Sequence, residues 1–90
     1  MDETNHSWTP ARQDDATESA VLRKVLDLHP VLVTAAELIR EVGGESPDFA
    51  RTDAIERAVR DLIGVGLLHH HGELLMPTRA AVRFSELLDR

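Results

Sequence analysis

The chain has no cysteine and no tyrosine, and its only aromatic side chains are one tryptophan and two phenylalanines in 90 residues. Without cysteine there are no disulfides and no thiolate metal sites, which fits a reducing compartment. Long apolar runs are missing as well, and nothing approaches the roughly 20 residues that span a bilayer. The opening MDETNHSWTP lacks the basic, apolar pattern of a secretion signal. The expectation is a soluble, cytoplasmic protein with no membrane contact. There is also no glycine-rich phosphate loop, no GxSxG elbow and no clustered acid–base pair, and about 75 foldable residues leave little depth for a pocket. These absences argue against an enzyme and call for no cofactor.

Positive charge is scarce: ten Lys/Arg stand against sixteen Asp/Glu, for a net charge of −6. The deficit is uneven. Residues 1–20 set Asp2, Glu3, Asp14, Asp15 and Glu18 against Arg12 alone, a balance of −4, so the other 70 residues carry only −2. An acidic tail on a nearly neutral fold can still present a local basic face.

Residues 1–14 are polar and aperiodic and read as a disordered acidic tail, with Trp8 as its one large apolar side chain. The folded domain is expected over residues 15–90. Asp15-Ala-Thr-Glu18 has the form of a capping box and predicts a helix start, with Val21, Leu22, Val25, Leu26 and Leu28 at helical spacing. Pro30 then stops the helix near Leu28. Val31-Leu32-Val33 predicts a short strand. Thr34-Ala-Ala-Glu37 is a second capping box, flanked by Val33 and Leu38 as a hydrophobic staple, and Gly43-Gly44 ends that helix. Its inward positions are Ala35, Leu38, Ile39 and Val42.

Ser46-Pro47-Asp48 is also a helix-start signal, but a helix running unbroken from it would set Phe49 among Asp53, Glu56 and Arg60. The sequence therefore predicts a separate turn at residues 47–51 and a helix capped by Asp53 and Glu56. On that helix Ile55, Ala58, Val59, Leu62 and Ile63 share one side, and Asp53, Glu56, Arg57, Arg60 and Asp61 the other. After Gly64 and Gly66, Leu67–His70 and Glu73–Met76 flank His71-Gly72, a two-residue hairpin turn. Pro77-Thr78 leads into a last helix with Ala81, Phe84, Leu87 and Leu88 at spacings of three and four.

This order, with the segment ERAVRDLIGVGLL followed by a hairpin and PTRAAVRF, resembles the winged helix-turn-helix superfamily over residues 15–90. The resemblance implies an α+β, mostly α fold: a three-helix core with a short strand and a β-hairpin wing, plus a C-terminal helix. It further implies a DNA-binding transcriptional regulator whose third helix reads double-stranded DNA. Asp53, Glu56, Arg57 and Arg60 would face the bases, with Thr34, Arg40, Arg51, His70 and His71 on phosphates and at the wing. The alternative is the same fold used as a protein–protein adaptor. Asp53–Arg57, Glu56–Arg60 and Arg57–Asp61 are all four apart, so the same charges can also pair along the helix and solvate it without any partner. His69 and His71 share one side of a strand, but two imidazoles do not close a metal site, so no metal is expected.

The expected core comprises Val21, Leu22, Val25, Leu26, Leu38, Ile39, Val42, Ile55, Val59, Leu62, Leu67, Leu74, Phe84 and Leu87. Pairing Leu67 with Met76 and Leu68 with Leu75 puts apolar side chains on both faces of the hairpin. Leu22, Leu28, Val82 and Leu88 of the terminal helices add to the surplus, which predicts a homodimer.

Overall fold

The computed structural model describes residues 10–89, with side chains from residue 13 onward. The assignment of residues 1–9 to a tail, Trp8 included, lies outside the described residues. The order is α1 (Pro10–Leu28), β1 (Val33–Thr34), α2 (Ala35–Gly43), α3 (Phe49–Gly64), β2 (Leu68–His71), β3 (Leu74–Pro77) and α4 (Arg79–Leu88). This is a mostly helical α+β fold, with helices packed on a small antiparallel sheet of strand order β1-β3-β2. Among the described residues no helix is long and apolar enough to cross a membrane.

Helix α1 begins at Pro10, not at Asp15, so residues 10–14 belong to the helix rather than to a tail. Proline is tolerated in a first helical turn, where its missing N–H would have had no intrahelical partner. The Asp15–Glu18 capping box is therefore not formed. The buried Thr17 hydroxyl donates instead to the Gln13 carbonyl one turn back, at 3.0 Å. The helix ends at Leu28, before Pro30, as expected.

The first strand is shorter and later than Val31–Val33. Only Val33 and Thr34 find partners, opposite Leu75 and Leu74, and Val31 is 67% exposed. Thr34 doubles as the cap of α2: its hydroxyl accepts from the Glu37 amide at 3.1 Å, and its own amide donates to the Glu37 carboxylate at 2.8 Å. This capping box is the one the sequence specifies. Of the inward positions in α2, Leu38 is fully buried, Ile39 and Val42 are half-buried, and Ala35 is exposed.

No separate turn precedes α3, which runs unbroken from Phe49. Asp48 is its cap, accepting from the Arg51 amide at 2.8 Å, and Asp53 sits a turn inside the helix. The conflict over Phe49 is resolved by exposure: the ring is left 87% in solvent at the helix end. Ile55, Ala58, Val59 and Leu62 form the buried face.

The hairpin turn lies one residue later than expected, at Gly72-Glu73. Gly72 has φ +62° and Glu73 a negative φ, the arrangement of a II′ turn with glycine first. Leu68 therefore opposes Pro77 and His70 opposes Leu75, so Leu68, Leu75 and Pro77 are the buried positions. Leu67 and Leu74, expected in the core, are only half-buried. The core proper is Val21, Val25, Val33, Leu38, Ile55, Ala58, Val59, Leu62, Leu68 and Leu75. Leu22, like Leu67, packs against its edge. Phe84 and Leu87 do not belong to it, at 62% and 49% exposed. It is the smaller Ala81 that α4 buries.

Candidate nucleic-acid interface

Helix α3 is held on its inner side by α1, α2 and β2, which leaves Phe49, Asp53, Glu56, Arg57 and Arg60 on its outer and flanking surface. The candidate residues fall into three patches around this helix.

Arg57 lies on the α1 side. Its guanidinium is 2.9 Å from the Asp53 carboxylate and 3.4 Å from that of Asp14 on α1. Asp14, Arg51, Asp53 and Arg57 line a shallow cleft between the first turns of α1 and α3. Arg51 leans over the end of α2 and donates to the Val42 carbonyl at 3.3 Å.

Glu56 and Arg60 lie on the α2 side, beside a depression shared with Ala35 and Ile39. The expected Glu56–Arg60 and Arg57–Asp61 pairs are not formed. Among the described residues Arg60 makes no ion pair, and its side chain is exposed. Arg40 is exposed on α2.

The third patch is where α2 begins beside the hairpin. Thr34, Ala35, Ile63, His70 and Glu73 line one depression there. The Thr34 amide donates to the Glu37 carboxylate and its hydroxyl oxygen accepts from the Glu37 amide, so of its two donors only the hydroxyl proton is left for an anion. His70 and His71 are exposed near the hairpin tip.

Asp61 turns toward α1, where Glu18 meets it. Burial, the hydrogen bond to Asp61, and the negative charges of Asp61, Asp15 and Asp14 hold the Glu18 carboxyl above the ordinary glutamate range.

Asp14 and Phe49 stand outside the sequence-predicted site, the first because the Asp15–Glu18 pattern points to a later helix start, the second because the sequence predicts a turn where α3 begins. The signal for the first was Pro10 at a permissible helix start. For the second it was Ser46-Pro47-Asp48, read through to its natural consequence.

Comparison with protein-family models, with curated proteins and with solved structures finds no match to this chain.

Proposed function

We propose that the chain is a winged-helix protein that binds double-stranded DNA in transcriptional regulation, with α3 in the major groove and the β2–β3 hairpin as the wing. The observation that carries this reading is an outer α3 face that the described residues leave unpacked next to a hairpin, with the Arg60 guanidinium on it, which pairs with no carboxylate among them. Such an arginine is suited to the O6 and N7 acceptors of guanine. Arg57 reads bases once it exchanges carboxylate partners for DNA. Exposed ion pairs are worth about 0–1 kcal/mol, so the exchange costs little. Arg51, Arg40 and the hairpin imidazoles hold phosphates.

The alternative, a protein-binding module of the same fold, is favoured by one observation: Arg57 sits between the carboxylates of Asp53 and of Asp14 on α1, and Glu56 adds an acidic group on the α2 side of the helix.

Selection from random duplex DNA at low salt separates the two. The wild type should enrich a motif, and the double substitution Arg57→Ala with Arg60→Ala should abolish retention while leaving the circular dichroism unchanged. A wild type that enriches no sequence, yet captures a protein that the double variant also captures, overturns the DNA reading.

A further inference from the structure

The hairpin register decides which side chains share its outer face. The sequence alone sets Met76 against Leu67, but the structure sets it against His69, and Leu74 against His71. Leu68, Leu75 and Pro77 turn inward together, so the apolar surplus expected on both faces shrinks to a half-buried Leu74 and Met76 on the outer one. The exposed His69 and His71 stand beside them. His70 belongs to the other face, where it lines a depression with Ile63 and Leu75.

We infer that His69, His71 and Met76 form a copper(I) site on this outer face, with two imidazole nitrogens and one thioether sulfur closing on a single ion. The strand geometry brings them together. Residues two apart on a strand lie on one face about 6.5–7 Å from each other, so the two imidazoles can lean toward a point between them. Met76 is directly opposite His69, with Cβ atoms about 4.5–5.5 Å apart, and diagonal to His71 at about 7–8 Å, a span that a long side chain crosses. Its unbranched, three-bond side chain can swing the sulfur over either ring. The donor set then selects the metal. Among the described residues no further histidine, cysteine or carboxylate joins the two imidazoles, so the four-ligand shell of a structural zinc is not there. A thioether is a soft donor that favours copper(I), and imidazole suits copper as well. Leu74, half-buried on the same face, adds an apolar neighbour that limits water at the ion.

The ion ties β2 to β3 through side chains and so holds the register that creates its site. With His71-Gly72 as the turn, His71 would leave the ladder and the trio would be broken. Copper(I) therefore stabilises the folded hairpin by mass action, and it brings positive charge to a segment whose one carboxylate is Glu73. None of this depends on what α3 binds.

The test is a competition, in the absence of oxygen, between the full 90-residue chain and a coloured copper(I) chelator. The wild type should withdraw copper(I) from the chelator, and its melting temperature should rise with the free metal. His69→Gln, His71→Gln and Met76→Leu should each weaken binding by at least the roughly 10–100-fold that losing even an outer partner of a metal ligand costs. Metal-free circular dichroism should not change, because both histidines are exposed and leucine nearly matches the volume of methionine. His70→Gln, on the opposite face, should bind as the wild type does. With silver(I) as an air-stable substitute for copper(I), the Met76 ε-methyl resonance should shift in carbon–proton correlation spectra. A wild type that leaves copper(I) on the chelator overturns the inference. So does a Met76→Leu variant that binds like the wild type, a His70→Gln variant as weak as His71→Gln, or a wild type that holds zinc(II) as tightly as copper(I).

Discussion

The carboxyl of Glu18 shows how one proton links two helices. Protonated, it donates to Asp61; ionised, it faces Asp61 with Asp14 and Asp15 close behind. The folded chain binds this proton more tightly than the unfolded chain, because the folded value lies above the ordinary one. Its contribution is therefore fully present below the unfolded value of about 4.3 and lost as pH rises through the raised folded value. Glu18→Gln keeps a donor and removes the charge. The variant should melt higher than the wild type at neutral pH, with the advantage shrinking as the solution is acidified, which thermal melts between about pH 4 and 7 will show. In the cleft between the first turns of α1 and α3, Asp48 satisfies the Arg51 amide as the cap of α3. Asp48→Ala should cost about 0.5–2 kcal/mol in urea unfolding, whereas Asp53→Ala, which removes no cap, should cost less.

At the scale of elements, the hairpin depends on Gly72. Its φ of +62° is a conformation in which a Cβ meets the neighbouring carbonyl, and no other atom lies within 4 Å of where that Cβ would go. Gly72→Ala should therefore cost about 1–2 kcal/mol through the backbone alone, visible as a lower denaturation midpoint with an unchanged slope. Leu62→Ala, on the buried face of α3, should cost about 2–5 kcal/mol through the cavity it leaves. The same elements show what was legible in the sequence. The Thr34–Glu37 box, the stop before Pro30 and the inner face of α3 are set by residues within a turn of one another, and each is legible in the sequence. The hairpin register hangs on whether glycine takes the first or second place in the turn. Alternating apolar residues on both sides leave that choice to the burial of Leu68 and Leu75 against the helices. Phe84 and Leu87 repeat as core residues do, and only the position of α1 shows that their side of α4 has nothing to pack on. Of the candidate site, the α3 residues were identified with their helix. Their division between Arg57, tied to α1, and Arg60, without a partner among the described residues, follows from tertiary contacts that no local pattern encodes.

The whole molecule carries little positive potential, and this sets the character of any DNA complex. With Arg40, Arg51, Arg57 and Arg60 as the cations around α3, at most a few counterions are released. The logarithm of the binding constant should then fall with the logarithm of salt concentration at a slope of about −2 to −4. Asp14→Asn removes one of the two carboxylates on Arg57, and should raise affinity for a selected duplex a few-fold at low salt and much less at high salt. Fluorescence anisotropy titrations over a salt series measure both effects.

The central place of β3 bears on how the chain reaches its native state. Its pairing with β2 joins neighbours across a tight turn, but its pairing with β1 joins Val33 to Leu75 and so closes a loop that contains all of α2 and α3. Closing a loop of about 40 residues costs entropy that only two residue pairs, together with the packing of Val33, return. β1 should therefore be the last part to join and the first to detach, as a clasp fastened after the helices have met. Native-state hydrogen exchange should find the Val33 and Thr34 amides opening at a fraction of the free energy that protects the middle of α1 and α3. Because Thr34 also caps α2, each opening of the clasp should loosen the first turn of that helix, so the amide of Glu37 should exchange in step with them.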